Sequence, residues 1–203
     1  PSYNLETLED DSAEIIKGVS FKGSAVFFKN RSIYVVRGNL SSGDYTVKKI
    51  SSTVGTVSPD SVCLHPEGIF FLGSDGKPRF ITPTDFESDD LRDSTDISYK
   101  YRGKFELLNA SQYDNCHAVL LSYKRWSQYR LFVPVGVTED YTNHCYVYDY
   151  GLAVRNGGDS AWFDFRYNIN VRSSWIARTT SENQRIIVGD DYGLMWGLDA
   201  LDS

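Results

Sequence analysis

The 203-residue sequence predicts an all-β, propeller-like protein of about four antiparallel blades with three to four strands each. Short runs rich in Val, Ile, Tyr and Phe alternate with turns rich in Gly, Asn, Asp and Ser, which is typical of antiparallel meanders. The runs fall into four groups near residues 19–52, 61–108, 116–166 and 170–198, each about the length of one blade. A β-sandwich or barrel has similar strand spacing and remains the alternative.

Composition narrows the class of protein. Aromatic residues make up 14% of the chain against a single Met, which favours strands over helices. A net charge of −6 argues against specific binding to nucleic-acid phosphates. Three cysteines are too few and odd in number for a disulfide framework, and no apolar run has the length of a membrane span. The sequence therefore predicts no membrane association and no nucleic-acid partner.

Residues 1–14 are expected to form a polar lead-in arm before a single domain over residues 15–203. The arm has no pattern of a signal peptide, which favours a cytosolic origin, and its abrupt start without Met favours a processed chain or a fragment of a longer protein. Its carboxylates belong to Glu6, Glu9, Asp10, Asp11 and Glu14. Such a charged segment without an apolar stripe is typical of a solvated arm.

The stretch from Ser24 to Ser61 is the clearest meander. Three strand-like runs are predicted at Ala25–Phe28, Ile33–Val36 and Tyr45–Ile50. A first strand is expected before them, formed by the short apolar runs Ile15–Ile16 and Val19–Phe21.

A second unit follows with strands at Ser61–Leu64, Ile69–Leu72 and Lys77–Thr82, the last two joined by an Asp-Gly turn. Because Ile69–Leu72 is apolar at consecutive positions, we expect it to be buried on both faces. Pro78 cannot donate a ladder hydrogen bond, so it indicates an edge or a bulge. The acidic segment Pro83–Asp96 is predicted to be a surface excursion, with a short helix opened by Thr84 or Asp85.

The rest of the chain continues the strand pattern. A turn is expected around Lys124–Gln128, a break at Ser173-Ser174, and a closing turn served by Asp190 and Asp191. The predicted strands are Phe105–Leu108, Cys116–Tyr123, Tyr129–Val135, Cys145–Asp149, Leu152–Arg155, Trp162–Arg166, Ile169–Arg178, Arg185–Gly189 and Leu194–Leu198.

No pattern of residues indicates an enzyme. Each Cys lies beside or near a His, but without the spacing that directs two ligands to one zinc ion, so we interpret the Cys residues as small core hydrophobes. The acidic segment lacks the ligand order of an EF-hand, which favours a solvated loop over a Ca²⁺ site. Nucleophile elbows and phosphate-binding Gly loops are absent from the sequence. We therefore predict no catalytic residue, metal or cofactor.

Surface contact is the remaining kind of site. An aromatic residue beside basic groups in a turn is typical of a contact hot spot, and the acidic excursion is a second candidate patch. The predicted interaction residues are Lys124, Arg125, Trp126, Gln128, Asp85, Asp89 and Asp90. A rival hypothesis is a sugar-stacking groove, whereas core packing uses the same residue types. Its candidate residues are Tyr123, Trp126, Tyr129, Tyr141, Tyr146, Tyr148, Trp162, Tyr167 and Trp175.

Three segments, Val26 to Val36, Ile50 to Ser61 and Gly68 to Gly76, carry a family resemblance. They resemble the β-propeller segment of bacteriophage structural proteins of the head-to-tail or tail region. The sequence departs from that pattern at Lys77-Pro78-Arg79, where the phage proteins have an aromatic residue directly after the Asp-Gly turn. The closing stretch Ile186 to Ala200 is similar to generic propeller repeats.

The resemblance implies a non-enzymatic virion structural protein that makes protein–protein contacts. Its partners would be other virion proteins or copies of itself, and its location would be the virion, assembled in the host cytoplasm. The alternative is a carbohydrate-binding or carbohydrate-cleaving propeller used in host recognition, with a glycan as partner.

Overall fold

The computed structural model describes residues 14–39, 41–91, 95–123, 126–138, 140–156, 161–178 and 184–198, with the backbone alone at positions 123 and 126. These residues form three antiparallel sheets joined by short helical segments, so the all-β prediction is confirmed. The helices are α1 (Arg102–Phe105) and α2 (Tyr150–Arg155), with 3-10 turns at Pro59–Ser61, Asp85–Glu87, Tyr99–Tyr101 and Ala110–Asn115. Among the described residues, every helix is too short to cross a membrane.

The first sheet is the meander predicted around Ser24 to Ser61. Its strands, in order, are β1 (Ile15–Phe21), β2 (Ser24–Lys29), β3 (Ile33–Asn39) and β4 (Asp44–Ser51). The turn between β1 and β2 uses Lys22 and Gly23, which both have positive φ values (46° and 78°). That backbone matches the right-handed twist of the two strands it joins.

The second sheet is a short meander with a fully buried central strand. Its strands are β5 (Cys63–His65), β6 (Gly68–Leu72) and β7 (Pro78–Ile81). Every residue of β6 is buried, which confirms the prediction from its consecutive apolar residues. Pro78 is the first residue of β7, a strand position that tolerates the missing N–H group.

The third sheet is a single six-stranded meander that curls into a half-barrel, with β8 packing near β11. Its strands are β8 (His117–Tyr123), β9 (Trp126–Val133), β10 (Thr142–Asp149), β11 (Trp162–Arg178), β12 (Gln184–Asp190) and β13 (Met195–Leu198). The 17-residue β11 pairs with β10 mainly through its first part and with β12 through its second. The third and fourth predicted strand groups are therefore one sheet. The expected break at Ser173-Ser174 is wrong, since both residues pair with β12.

Three further elements differ from the prediction. Leu152–Arg155 lies in α2 rather than in a strand, because the Asp149 carboxylate accepts a hydrogen bond from the Leu152 N–H (2.8 Å) and caps the helix. Phe105 ends α1, so Phe105–Leu108 is not a strand. Strand β9 begins at Trp126, which places Trp126 and Gln128 in the sheet instead of in a turn.

The sheets are stacked in three layers with the second sheet in the middle. Alternate residues of β6 serve different cores: Ile69 and Phe71 pack against the first sheet, whereas Phe70 and Leu72 pack against the third. A separate core fills the curl of the third sheet, and its buried members are Val119, Phe132, Cys145, Val147, Val171, Ile186 and Val188.

Candidate functional site

Of the four predicted contact residues in the range 124–128, the structure describes the side chain of Gln128 alone, and it is buried. Lys124 and Arg125 lie outside the described residues, and the structure describes Trp126 by its backbone alone. Gln128 is 8% exposed in β9, where its amide hydrogen bonds to Asp149 and Arg130. The expectation of an exposed Gln128 was wrong, because its neighbours on the same face of the sheet are buried polar groups that need its amide.

The acidic segment is held against the molecule by its own residues. Asp85 accepts hydrogen bonds from the backbone N–H and the hydroxyl of Thr82, both at 2.8 Å, so it ties the start of the 3-10 turn back to the residue that follows β7. Asp89 forms an exposed ion pair with Lys48 of the first sheet (3.4 Å), and the exposed Asp90 accepts from the Leu91 N–H. Of the three predicted contact residues here, Asp89 and Asp90 face solvent.

The buried cysteines have unreactive thiols. Burial raises the pKa of Cys63 and of Cys145 to about 12 and also raises the pKa of Cys116, so all three stay protonated near neutral pH. Within the described ranges, no three His, Cys, Asp or Glu side chains come together to hold a metal ion.

The proposed sugar-stacking residues are mostly parts of the core. Tyr129, Tyr146 and Tyr148 are buried in the cluster between the second and third sheets. Trp162 is half-buried, and its indole N–H donates to the backbone oxygen of Ile97 (2.7 Å). Trp175, by contrast, is 67% exposed.

One polar cluster that the sequence analysis missed lies at the surface of the third sheet. The Asp164 carboxylate is 3.0 Å from Nδ1 of His144 and accepts a hydrogen bond from Lys104 at the same distance. Burial raises the pKa of Asp164, but hydrogen bonds from His144 and Lys104 outweigh it and hold that pKa below its ordinary value. The cluster joins α1 to β10 and β11, which is a structural role.

An exposed surface with two large apolar side chains lies on the outer side of β11, β12 and β13. We call it the C-terminal face and define it as Ser173, Trp175, Ala177, Arg185, Ile187, Gly189, Met195 and Gly197. Trp175, Ile187 and Gly197 are direct neighbours across the three strands, and Ser173, Gly189 and Met195 form the next row. Met195 is 82% exposed. Nothing lies within 4 Å of the position that a Cβ would take at Gly197, so the surface is open there.

Strand alternation explains why this face points outward. Ile186 and Val188 of β12 point into the core of the half-barrel, with Ile176 and Leu198 packed against them. Their sequence neighbours must therefore lie on the opposite side of the sheet. The sequence alone does not distinguish Trp175 from the other eight aromatic candidates, because its exposure follows from the pairing of β11 with β12.

A carboxylate holds the hairpin that carries Met195. The side chain of Asp190 accepts hydrogen bonds from the backbone N–H groups of Tyr192 (3.0 Å) and Leu194 (2.8 Å) and from the indole of Trp196 (2.8 Å). These bonds, the one from Trp196 first, keep the pKa of Asp190 below its ordinary value. The prediction that Asp190 serves the closing turn is confirmed. Asp191 accepts a hydrogen bond from Asn170 across the same region.

No protein-family model matches the chain, and no curated protein sequence is significantly similar to it.

Proposed function

We propose that this protein is a non-enzymatic structural protein that uses the C-terminal face as a protein–protein contact surface. The observation that carries the proposal is that two large, strongly exposed apolar side chains, Trp175 of β11 and Met195 of β13, lie on the same side of a hydrogen-bonded sheet in adjacent cross-strand rows. Trp is the residue type most enriched at binding hot spots, and Met adapts its shape to a partner surface. A contact region of this kind needs no cofactor.

The geometry of the face suits a flat partner surface. The backbone is open at Gly197, whereas the hydroxyl of Ser173 lies 2.8 Å from the position that a Cβ would take at Gly189. The sheet fixes the backbone of these residues, which lowers the backbone conformational entropy lost on binding. The exposed Arg185, on the next row, supplies a charge at the rim that orients a partner.

We further propose the bacteriophage virion as the setting, with other virion proteins or copies of this chain as partners. The support is the sequence resemblance described above. Each of the three segments contributes buried apolar residues to one core between the first and second sheets, namely Val26, Phe28, Ile33, Val35, Ile50, Ile69 and Phe71. On this proposal the successive meanders are propeller-like blades. Mass spectrometry of purified virions tests the setting, and absence of the protein from particles overturns it.

The contact function is tested by adding charge to the face. The double variant Trp175→Glu, Met195→Glu should weaken the association between copies of the chain at least tenfold, which is equivalent to about 1.4 kcal/mol. Sedimentation velocity measures this association. The control is Val137→Glu, because Val137 is an apolar residue with 89% exposure outside the face. Equal loss in both variants, or no loss in either, overturns the proposal. Glycan-array binding that disappears in Trp175→Ala favours the carbohydrate alternative instead.

A further inference from the structure

We infer that the occupant of the C-terminal face is the same face of a second copy, related by a two-fold axis that lies between the two sheets and runs across their strands. This inference rests on the proposed function, because it names the partner of the same surface. Two relationships within the face support it. Large side chains in one row stand beside small residues in the next, and a cation and an anion lie at opposite ends of the face.

The two adjacent rows of the face combine large and small residues on every strand. One row is formed by the residues at positions 175, 187 and 197, and the other by those at positions 173, 189 and 195. On each strand, one row holds a large apolar residue and the other row holds a small residue. These pairs, from β11 to β13, are Trp175 with Ser173, Ile187 with Gly189, and Met195 with Gly197.

A two-fold axis midway between the two rows makes the face complementary to itself. Such an axis exchanges the rows of the two copies and keeps each strand opposite its own equivalent. Each large side chain then faces the small residue of the same strand in the other copy, as in two sheets whose side chains interdigitate about 10 Å apart. At Gly197 the space is open, since nothing lies within 4 Å of the position that a Cβ would take, so Met195 of the second copy meets no obstacle there.

The same axis brings opposite charges together at both ends of the face. Along the outer side of β12, Arg185 precedes Ile187 by two residues, and Asp191 follows Gly189 by two residues. Arg185 and Asp191 therefore lie at equal distances from the axis, on opposite sides of it. Arg185 of each copy faces Asp191 of the other, so the contact contains two pairs of opposite charges, which fix its register.

Asp191 has the orientation that this pair requires. It accepts a hydrogen bond from the side chain of Asn170 (2.7 Å), whose sequence neighbour Val171 is buried in the core of the half-barrel. Asn170 therefore lies on the outer side of β11 and holds Asp191 on that side. Arg185 and Asp191 are both exposed, and neither forms an ion pair with another described residue. Both charges are therefore available to a second copy.

The size of the face predicts a weak dimer. Three strands about 4.8 Å apart and four rows about 6.8 Å apart cover roughly 400 Å² on each copy. A standard interface buries about 800 Å² on each partner, and smaller ones belong to weak or transient complexes. Because a two-fold contact uses the same surface on both copies, it closes at the dimer and does not build a filament. We therefore expect a concentration-dependent dimer.

The experiment exchanges the charges between two different chains. In full-length Arg185→Glu, and likewise in full-length Asp191→Lys, like charges face each other at both ends of the two-fold contact. Each variant alone should therefore dimerise at least tenfold more weakly than the unchanged chain. An equimolar mixture of the two variants should restore the dimer, because the new carboxylate then faces the new ammonium group at one end, and the unchanged Asp191 and Arg185 face each other at the other. Sedimentation velocity at a series of concentrations measures the dissociation constants.

The matched control is Arg178→Glu, which makes the same change of charge at another exposed arginine of the sheet. Arg178 pairs with Gln184 and lies on the core side, two residues after Ile176, so it is outside the face. It should leave the dissociation constant unchanged. Restoration by mixing needs two chains, so a change within one copy, such as loss of the hydrogen bond from Asn170, does not produce it.

The other outcomes are distinct. If Trp175→Glu, Met195→Glu abolishes dimers but the charge variants have no effect or are not restored by mixing, the two-fold arrangement is wrong while the contact function stands. Assembly that is insensitive to all of these variants overturns both. An unchanged chain that stays monomeric, or that assembles beyond a dimer through this face, overturns the two-fold contact.

Discussion

The side-chain oxygen of Gln128 accepts two hydrogen bonds from the guanidinium group of Arg130, at 3.3 Å from Nε and 3.0 Å from Nη2. The same amide donates to the carboxylate of Asp149 at 3.4 Å. All three side chains are buried. A neutral amide thus joins a buried cation to a buried anion in the third sheet, where each charge without a partner would be costly.

Replacing Gln128 by Leu should lower the free energy of unfolding by about 2 to 3 kcal/mol, because both charged neighbours lose a buried hydrogen bond. Gln128→Glu should be milder, since a carboxylate still accepts from Arg130 although it repels Asp149. Urea denaturation of the two variants measures the difference. A Leu variant as stable as the unchanged protein would show that the amide contributes nothing.

Acid should destabilise the protein in a window set by two buried histidines. Burial lowers the pKa of His65 and of His117 from the ordinary value of 6.5, so the unfolded chain binds these protons more tightly than the folded one. The free energy of unfolding is therefore fully retained above about pH 6.5 and falls as the pH decreases below it. Each proton contributes a slope of at most about 1.4 kcal/mol per pH unit.

Denaturation curves at a series of pH values measure this slope, and His65→Gln and His117→Gln should each flatten it. The carboxylates with lowered pKa values, such as Asp164, act in a different window, below their ordinary value of 3.8. Unchanged slopes in both histidine variants would contradict the assignment.

Loss of the Asp190 carboxylate should loosen the closing hairpin. In Asp190→Ala the N–H groups of Tyr192 and Leu194 and the indole of Trp196 lose their acceptor, so their hydrogen exchange should accelerate. Asp190→Asn retains an acceptor oxygen and should show a smaller change. Because the hairpin presents Met195, the Ala variant should also weaken association through the C-terminal face. Equal exchange in both variants would argue against this role.

The stability that the acidic segment contributes should depend more on one buried ring than on its ion pairs. Phe86 is 1% exposed and packs edge-on against Phe21 at 6.2 Å between ring centroids. Phe86→Ala should therefore cost about 3 to 4 kcal/mol in urea denaturation. Asp89→Asn is the control and should change stability little, because its ion pair with Lys48 is exposed to solvent. A larger effect of the control would reverse this ranking.

Strands that are buried on both faces can be predicted from the sequence, because every position in them is apolar. In β6 both faces are covered, so every position from Ile69 to Leu72 is apolar and the pattern is visible without a structure. The sequence predicts a break in β11 because Ser173 and Ser174 are residue types typical of turns. Both residues nevertheless pair with β12, since the ladder is formed by backbone groups and does not depend on their side chains. Leu152–Arg155 was read as a strand because the cap supplied by Asp149 acts on geometry that composition does not reveal.

The candidate site was less predictable, because exposure depends on partners distant in sequence. Gln128 has a residue type typical of surfaces, yet Arg130 and Asp149 make it a buried bridge. Trp175 and Tyr129 are both aromatic strand residues, and only the positions of the neighbouring layers leave one exposed and the other fully buried.

The central position of β6 has a consequence for cooperativity. Neighbouring residues Phe70 and Phe71 belong to different cores, so detachment of either outer sheet exposes one whole side of the same strand to water. Neither outer sheet can unfold without weakening the support of the other. The protein should therefore unfold in a single two-state transition instead of losing its layers one after another.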